Sequence, residues 1–345
     1  MILILNCGSQ SIKWKVFDAK LKAVKEGRRE VLDSKDFEKI LEEELNKIVK
    51  SDFTISKIGH RVVHGKNLFC EPIKITDDVV KKLELLNYLA PLHNPFNVLG
   101  IKTCQNVFGD ISQFAVFDTE FFRDLPEVAY TYALSEKIVQ EFGYRKYGFH
   151  GISHEYVFKK TLEKNKKYKK VITVHLGGGA SITAIKNGRA VDTSMGFTPM
   201  QGLVMMTRAG DMDFGIVLEM AQKIGLEKTN EILNKESGVK GICGEGDMLR
   251  VLEKIKSGDK KSKLALDVFV YSIKKYIGSY FAILGGCDVL VFTGSIGSGS
   301  AKIRNMVCKN LDILTPRGPG KKTKVLAIET DEELAIAQKI KNIKS

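Results

Sequence analysis

The run Ile2-Leu-Ile-Leu-Asn-Cys-Gly-Ser-Gln-Ser-Ile12 returns half a chain later as Ile172-Thr-Val-His-Leu-Gly-Gly-Gly-Ala-Ser-Ile182. Each is an apolar strand, a tight Gly/Ser turn and the start of a second strand. Two glycine-bearing β-hairpins this far apart point to a duplicated domain, each half offering a loop to one ligand. Taken singly, either hairpin reads equally well as a plain sharp turn. Around them, short β-rich runs alternate with amphipathic stretches, the pattern of α/β layers. Strands are expected at Ile2–Leu5, Trp14–Phe17, Gln113–Phe117, Val171–Val174, Ser181–Ile185, Val289–Thr293 and Lys324–Ile328. Helices are expected at Phe37–Val49, Asp78–Tyr88, Glu155–Glu163, Ile216–Gly225, Asp247–Lys256, Leu264–Leu284, Ala301–Leu311 and Glu332–Ile343.

A length of 345 residues, with 43% hydrophobic and 28% charged, fits an enzyme of two domains. The apolar opening Met1–Leu5 has no basic leader and is too short for a signal peptide, so it reads as a buried strand. The apolar stretch Tyr280–Thr293 is interrupted by Gly285, Gly286 and Asp288, which argues against a membrane span. Six cysteines are scattered without a close pair, which fits a reducing cytosol better than a disulfide framework. The net charge of +13 can attract anions or nucleic acid, but lysine runs such as Lys164–Lys170 read as solvated loops, and no nucleic-acid module accompanies them.

Phosphoryl transfer needs donors around the equatorial oxygens, a neutralising metal and an acceptor held in line. Glycine turns supply backbone N–H donors without side-chain bulk, and three are present: Gly8-Ser-Gln-Ser11, Gly177-Gly-Gly179 and Gly294-Ser-Ile-Gly-Ser-Gly299. There is no Gly-x4-Gly-Lys-Ser/Thr loop and no opening dinucleotide fingerprint. All six histidines (His60, His64, His93, His150, His154, His175) fall in segments rich in polar residues, glycine or proline rather than in the amphipathic helices, which points to a site. Two His-x3-His pairs raise zinc as an alternative. His60–His64 lacks the glutamate of a zinc hydrolase, however, and Gly151 disfavours a helix through His150–His154. Arg61 lies between two histidines, and Arg208 lies in Thr207-Arg-Ala-Gly-Asp-Met-Asp213. Both offer planar donors for carboxylate or phosphate. Arg208 also reads as a structural partner of Asp211 or Asp213. Asp118, at the carboxyl end of a strand where α/β sites gather, also reads as a helix cap.

Ten segments in order closely resemble the acetate kinase (acetokinase) family of the sugar kinase/heat-shock chaperone/actin superfold. They are Asn6–Lys13, Gly59–Gly65, Ala90–Pro95, Val116–Thr119, Tyr147–His154, His175–Ser181, Asp192–Pro199, Thr207–Asp213, Val291–Gly297 and Thr330–Leu334. The resemblance implies duplicated actin-like (RNase H-like) α/β domains with a cleft between them. The first would be residues 1–120 closed by 331–345, and the second, nucleotide-binding, 121–330. It implies that Arg61 and Arg208 hold the carboxylate and the moving phosphoryl group. His150 would donate to that group in the transition state, and Asp118 would orient acceptor and arginines. Val63, Leu92, Phe149 and Pro199 would line the acyl pocket. Lys13, His175, Gly177, Gly178, Gly179, Asp247, Gly294, Ile296 and Gly297 would attend the nucleotide. Asn6 and Glu332 match the positions for magnesium or manganese, with Glu333 as the alternative to Glu332. The implied partners are acetate or another short carboxylate and ATP/ADP, in a cytoplasmic homodimer that binds neither nucleic acid nor membrane.

Propionate, or a donor other than ATP, is the alternative within the class. A chaperone- or actin-like nucleotide switch shares the hairpins but has no need of Arg61, His150 and Arg208 together. The chain is shorter than typical members and departs from their pattern on the nucleotide side. Gln10 stands for a usual serine, Gly178 for an asparagine, and Phe122 for a histidine. Ser295, Ser298 and Gly299 replace the usual Gly, Glu and Asn, and Leu249 sits where an adenosine-contacting arginine is expected, with Arg250 adjacent.

Overall fold

The computed structural model describes residues 1–9, 11–51, 53–91, 93–311 and 323–344. The chain divides into two compact units, the first Met1–Arg123, Phe149–Tyr156 and Asp331–Ser345, the second Asp124–Gly148 and Val157–Thr330. The sequence reading had placed Phe149–Tyr156 in the second domain.

The first unit holds a six-stranded sheet of β1 (Ile2–Gly8), β2 (Ser11–Phe17), β3 (Ala23–Glu30), β4 (Lys57–Val62), β5 (Ile73–Lys74) and β6 (Gln113–Phe117), ordered β3-β2-β1-β4-β6-β5. β1, β2 and β3 form an antiparallel meander; β4 runs parallel to β1, and β6 parallel to β4. The second unit repeats this plan with β7 (Lys170–Leu176), β8 (Ala180–Lys186), β9 (Arg189–Thr193), β10 (Val289–Thr293) and β11 (Lys324–Ala327), ordered β11-β10-β7-β8-β9. There β7, β8 and β9 are the meander, while β10 runs parallel to both β7 and β11. The hairpins quoted first from the sequence are β1–β2 and β7–β8, in equivalent places in the two sheets.

β1 is buried from Ile2 to Cys7 because helices cover both faces of its sheet. On one face Leu3 and Leu5 join Leu41, Leu45 and Ile48 of the helix Phe37–Val49; on the other Ile2 and Ile4 join Ile336 and Ile340 of the helix Glu332–Ile340. Each such side chain contributes about 1.5–3 kcal/mol by leaving water. Gly59 of β4 permits this second packing: a Cβ there would lie 2.6 Å from Ile4 Cδ1 and 2.7 Å from Ile340 Cδ1.

β3, β4, β5 and β9 were not expected from the sequence, nor was the helix Asn94–Phe108. β3 reads Ala-Val-Lys-Glu-Gly-Arg-Arg-Glu and is largely exposed on both faces, so it carries no alternation. It is an edge strand, where such charge discourages pairing with another chain. In β4, glycine and histidine stand at buried positions and mask a parallel core strand. Gly151 was expected to disfavour a helix, yet it opens the helix Gly151–Lys164. Among the described residues no helix is long and apolar enough to cross a membrane.

Candidate active site

In the first unit β1, β4 and β6 bring Asn6, Arg61 and Asp118 to their carboxyl ends. Arg61 Nη2 lies 2.6 Å from Asp118 Oδ2, and its Nε donates to Asp118 Oδ1 over 3.1 Å. This two-point fork excludes the helix-cap reading of Asp118. Nη1 of the same guanidinium donates to Asn6 Oδ1 at 3.3 Å and lies 3.0 Å from Glu332 Oε2. Burial alone would lower the Arg61 pKa, but the Asp118 and Glu332 carboxylates outweigh it and hold the guanidinium charged. Burial draws the Asp118 carboxyl upward, while the Arg61 fork and a hydrogen bond from the His150 backbone oppose that shift. The Asp118 side chain is 1% exposed and that of Arg61 is 17% exposed, so a ligand reaches the arginine and not the aspartate.

His150 enters this group through its backbone. Its φ is +58°, a left-handed turn just ahead of the helix Gly151–Lys164, and the following Gly151 N–H donates to the Asp118 carbonyl over 2.9 Å. A Cβ on Gly151 would overlap that carbonyl oxygen. Glycine is therefore required where the histidine loop meets the end of β6.

Asn6 Nδ2 donates to Glu332 Oε2 and to Glu333 Oε1, both at 3.2 Å. Lys13 stands directly across the β1–β2 ladder from Asn6. Two residues along the same face, Lys15 Nζ sits 3.0 Å from Asp331 Oδ2 and 3.9 Å from Glu333 Oε2. Glu333 is thereby held by Lys15 and Asn6, while Glu332 faces Arg61. The carboxamide and carboxylate oxygens of Asn6 and Glu332 are the hard donors magnesium prefers, and it ordinarily takes only one or two from protein alongside phosphates and water. Among the described residues no group of three or more His, Cys, Asp or Glu is placed to hold a metal.

Val63 is buried after β4, and its N–H donates to Asn97 Oδ1 over 3.1 Å; Phe149 packs edge-on to His64 with ring centroids 5.1 Å apart. Leu92 lies outside the described residues, as does Gln10. His60 is not part of the site: it is buried in the sheet with Nε2 2.7 Å from Gln113 Oε1. His154 is likewise buried, its ring 6.1 Å from that of Phe122.

In the second unit Arg208 occupies a loop closed on itself by Gly202 N–H to Asp211 Oδ1 at 2.9 Å and Met205 N–H to the Arg208 carbonyl at 3.1 Å. Arg208 Nη1 donates to the Pro199 carbonyl over 3.0 Å, which brings these two expected residues together. Burial lowers the Arg208 pKa to about 10. Asp211 accepts from Tyr276 Oη at 2.6 Å, and Asp213 caps the helix Phe214–Ile224.

The turn Gly177–Gly179 joins β7 to β8, with Gly177 N–H bonded to the Gly179 carbonyl at 2.9 Å. A Cβ on Gly177 would stand 3.6 Å from Ser295 Oγ and 3.7 Å from His175 Nε2, while one on Gly178 would meet nothing within 4 Å. Gly294, with φ +77°, passes so close to the Leu176 carbonyl that no side chain fits, and a Cβ on Gly297 would be 3.4 Å from the Val174 carbonyl. His175, the glycine turn, Gly294, Ser295, Ile296 and Gly297 thus gather at the ends of β7 and β10. Asp247 does not join them by its side chain. Its carboxylate accepts from Leu249 N–H and Arg250 N–H as the cap of the helix Met248–Lys256.

The sequence reading missed Lys15, Asn94 and Asn97. Asn97 Nδ2 donates to the Cys7 carbonyl at 2.6 Å, and Asn94 Oδ1 accepts from His64 N–H at 3.0 Å, so both fix the loop after β4. The alternation Ser11, Lys13, Lys15 against Ile12, Trp14, Val16 was a usable signal for Lys15.

The model of the acetokinase family matches residues 23–338. The chain belongs to that family. It is 40% identical over 387 aligned residues to the acetate kinase of Carboxydothermus hydrogenoformans, covering 98% of this chain and 97% of that one. Among solved structures, this acetokinase chain superposes on the acetate kinase of Porphyromonas gingivalis with a TM-score of 0.85 at 35% identity, covering 99% of each chain. It matches a propionate kinase from Francisella tularensis with a TM-score of 0.87 at 34% identity, covering 98% of each. The acetokinase fold of the chain is the duplicated actin-like α/β fold.

Proposed function

We propose that this chain is an acetate kinase, moving the γ-phosphoryl group of ATP reversibly onto the carboxylate of acetate. The observation that carries the reading is the Arg61–Asp118 fork with Asn6 and Glu332 against the same guanidinium, in a chain of the acetokinase family. One acetate oxygen attacks the γ-phosphorus; the new O–P bond forms as the bond to the β-bridging oxygen breaks. ADP then leaves, and acetyl phosphate remains. Little covalent work falls to the protein, so its residues act by position and charge.

On the acceptor side Arg61 binds the acetate carboxylate, and Asp118, too buried to touch it, holds the guanidinium in plane. Val63 and Phe149, with Leu92 and Pro199, take the methyl group. His150 donates to the transferring group, and Arg208 stabilises its developing charge. On the nucleotide side the open turn at Gly178, with His175, Gly177 and Gly179, receives phosphate oxygens, and Gly294, Ile296 and Gly297 lie toward the nucleoside. Lys13, opposite Asn6, adds positive charge, while Asp247 works indirectly by capping its helix. Asn6 and Glu332 fit magnesium or manganese, which when bound supplies neutralisation of phosphate charge.

We also place the protein in the cytoplasm as a homodimer. Its six cysteines are unpaired, and the second unit exposes Leu134 and Phe214 at a cavity also lined by Tyr132, Phe197, Met212 and Leu233.

The test is an acyl-hydroxamate assay with ATP and acetate, propionate or butyrate. Acetate-dependent product is expected, declining in graded steps with length because a methylene is worth only about 1–3 kcal/mol. Turnover indifferent to added carboxylate would sink the reading.

A further inference from the structure

A largely buried cluster of three charges in the first unit lies outside every residue given a part above. Lys339 Nζ is 2.7 Å from Glu120 Oε1 and 2.7 Å from Glu155 Oε2, with the three side chains 15%, 12% and 18% exposed. Each comes from a different segment. Glu120 opens the short 3-10 turn Glu120–Phe122, two residues after Asp118. Glu155 lies in the first turns of the helix that follows His150, and Lys339 lies in the last turn of the helix that Glu332 begins.

We propose that Lys339, Glu120 and Glu155 are positioning residues that fix these three segments in register, and through them Asp118 with Arg61, His150 and Glu332. What the positioned groups then do rests on the acetate kinase reading.

The energetics argue against a purely stabilising purpose. Lys339 is shared between two carboxylates, and Glu120 Oε2 is buried without a hydrogen-bond partner among the described residues. Apolar side chains of similar volume commonly match or exceed a buried ion cluster in stability. Docking of the C-terminal helix is already secured by Ile336 and Ile340 in the core and by Lys57 Nζ on the Lys341 carbonyl at 2.9 Å. Apolar faces tolerate small slides, whereas an ammonium held at 2.7 Å by two carboxylates from different segments penalises them. A slide of about 1 Å at a reacting centre is enough to cost about a hundredfold in rate.

The decisive variant is the neutral triple Glu120→Gln/Glu155→Gln/Lys339→Met, which nearly keeps side-chain volume and removes the charges. It is expected to melt within a few degrees of the parent. Its kcat should fall about tenfold or more and its KM for acetate rise about threefold or more. A mere loss of folded protein would lower kcat and leave the acetate KM alone. An active parent and a folded triple variant with parental kcat and acetate KM would overturn the positioning role and leave the proposed function standing. A parent without acetate-dependent turnover would overturn both. Should the triple variant fail to fold, Lys339→Arg, which keeps the charge and changes the geometry, decides in its place. The same shift in kcat and acetate KM supports the role, and parental kinetics overturn it.

Discussion

Gly151 lies directly against Asp118: its N–H donates to the Asp118 carbonyl over 2.9 Å, and any Cβ at residue 151 would overlap that oxygen. The contact couples the end of β6 to the loop that presents His150. Gly151→Ala is therefore expected to cost about 1–3 kcal/mol of stability, as overpacking does, and to reduce turnover even where the variant is fully folded. Urea unfolding and steady-state kinetics on one preparation check it. A variant with parental stability would show that the loop relaxes around the methyl group.

Arg208→Ala should lower turnover by at least about a hundredfold with the melting temperature little changed, since a transition-state arginine in phosphoryl transfer is worth about 10³–10⁵. Its loop is closed by backbone and Asp211 contacts that do not need the guanidinium. A folded variant with a near-parental rate would assign Arg208 a structural part, such as holding the Pro199 carbonyl.

His60 makes the protein acid-sensitive through its fold. Burial in the sheet lowers its pKa to about 4, while its hydrogen bond with Gln113 pulls the other way. In the unfolded chain a histidine takes its proton near pH 6.5. Between pH 6.5 and pH 4 the unfolded state binds the extra proton, so stability falls as pH drops through that window and levels off below it. The His60 share of the loss between pH 7 and pH 4.5 is about 2–3 kcal/mol. Urea titrations of the parent and of His60→Gln at both pH values should differ by roughly that amount in their pH dependence. An identical loss in both proteins would exonerate His60.

The duplication was legible because β1 and β7 are buried on both faces and end in glycine turns, a pattern that survives as text. Arg61, Asp118 and Arg208 stood out for the same local reason, polar residues at the ends of apolar runs. What escaped depends on partners remote in sequence. Gly59 reads as a loop until Ile336 and Ile340 arrive to fill the space above it. His60 reads as a site residue until Gln113 and the sheet enclose it. Lys15 and Glu333, 318 positions apart by their numbering (333 − 15), acquire a meaning only when the C-terminal helix returns to β2. The helix Glu155–Glu163 was expected, but its first turn from Gly151 was missed because propensity counts glycine against a helix. Here the carbonyl of Asp118 demands it.

The base of the nucleotide is expected to be read loosely. Leu249 is 71% exposed and offers no polar group, and a Cβ on Gly299 would find open space. The Ser298 hydroxyl donates to the Gly294 carbonyl at 2.8 Å within its own helix turn, so it is already engaged. Arg304 Nη1 donates to the Gly297 and Ser298 carbonyls at 2.9 and 2.6 Å, which ties the segment down from behind and leaves those acceptors occupied. A site rejects a wrong ligand strongly only when its own buried polar groups would go unpaired. Few such groups face a base here, so ATP, GTP, ITP and CTP should have specificity constants within about tenfold of one another, roughly 1.4 kcal/mol. Arg250, exposed beside Leu249, is the residue able to restore discrimination, and Arg250→Ala separates its contribution from the rest. Measurement is by initial rates at saturating acetate across the four triphosphates. A parental preference for ATP beyond about a hundredfold, roughly 2.7 kcal/mol, would mean that base recognition survives in this segment by another route.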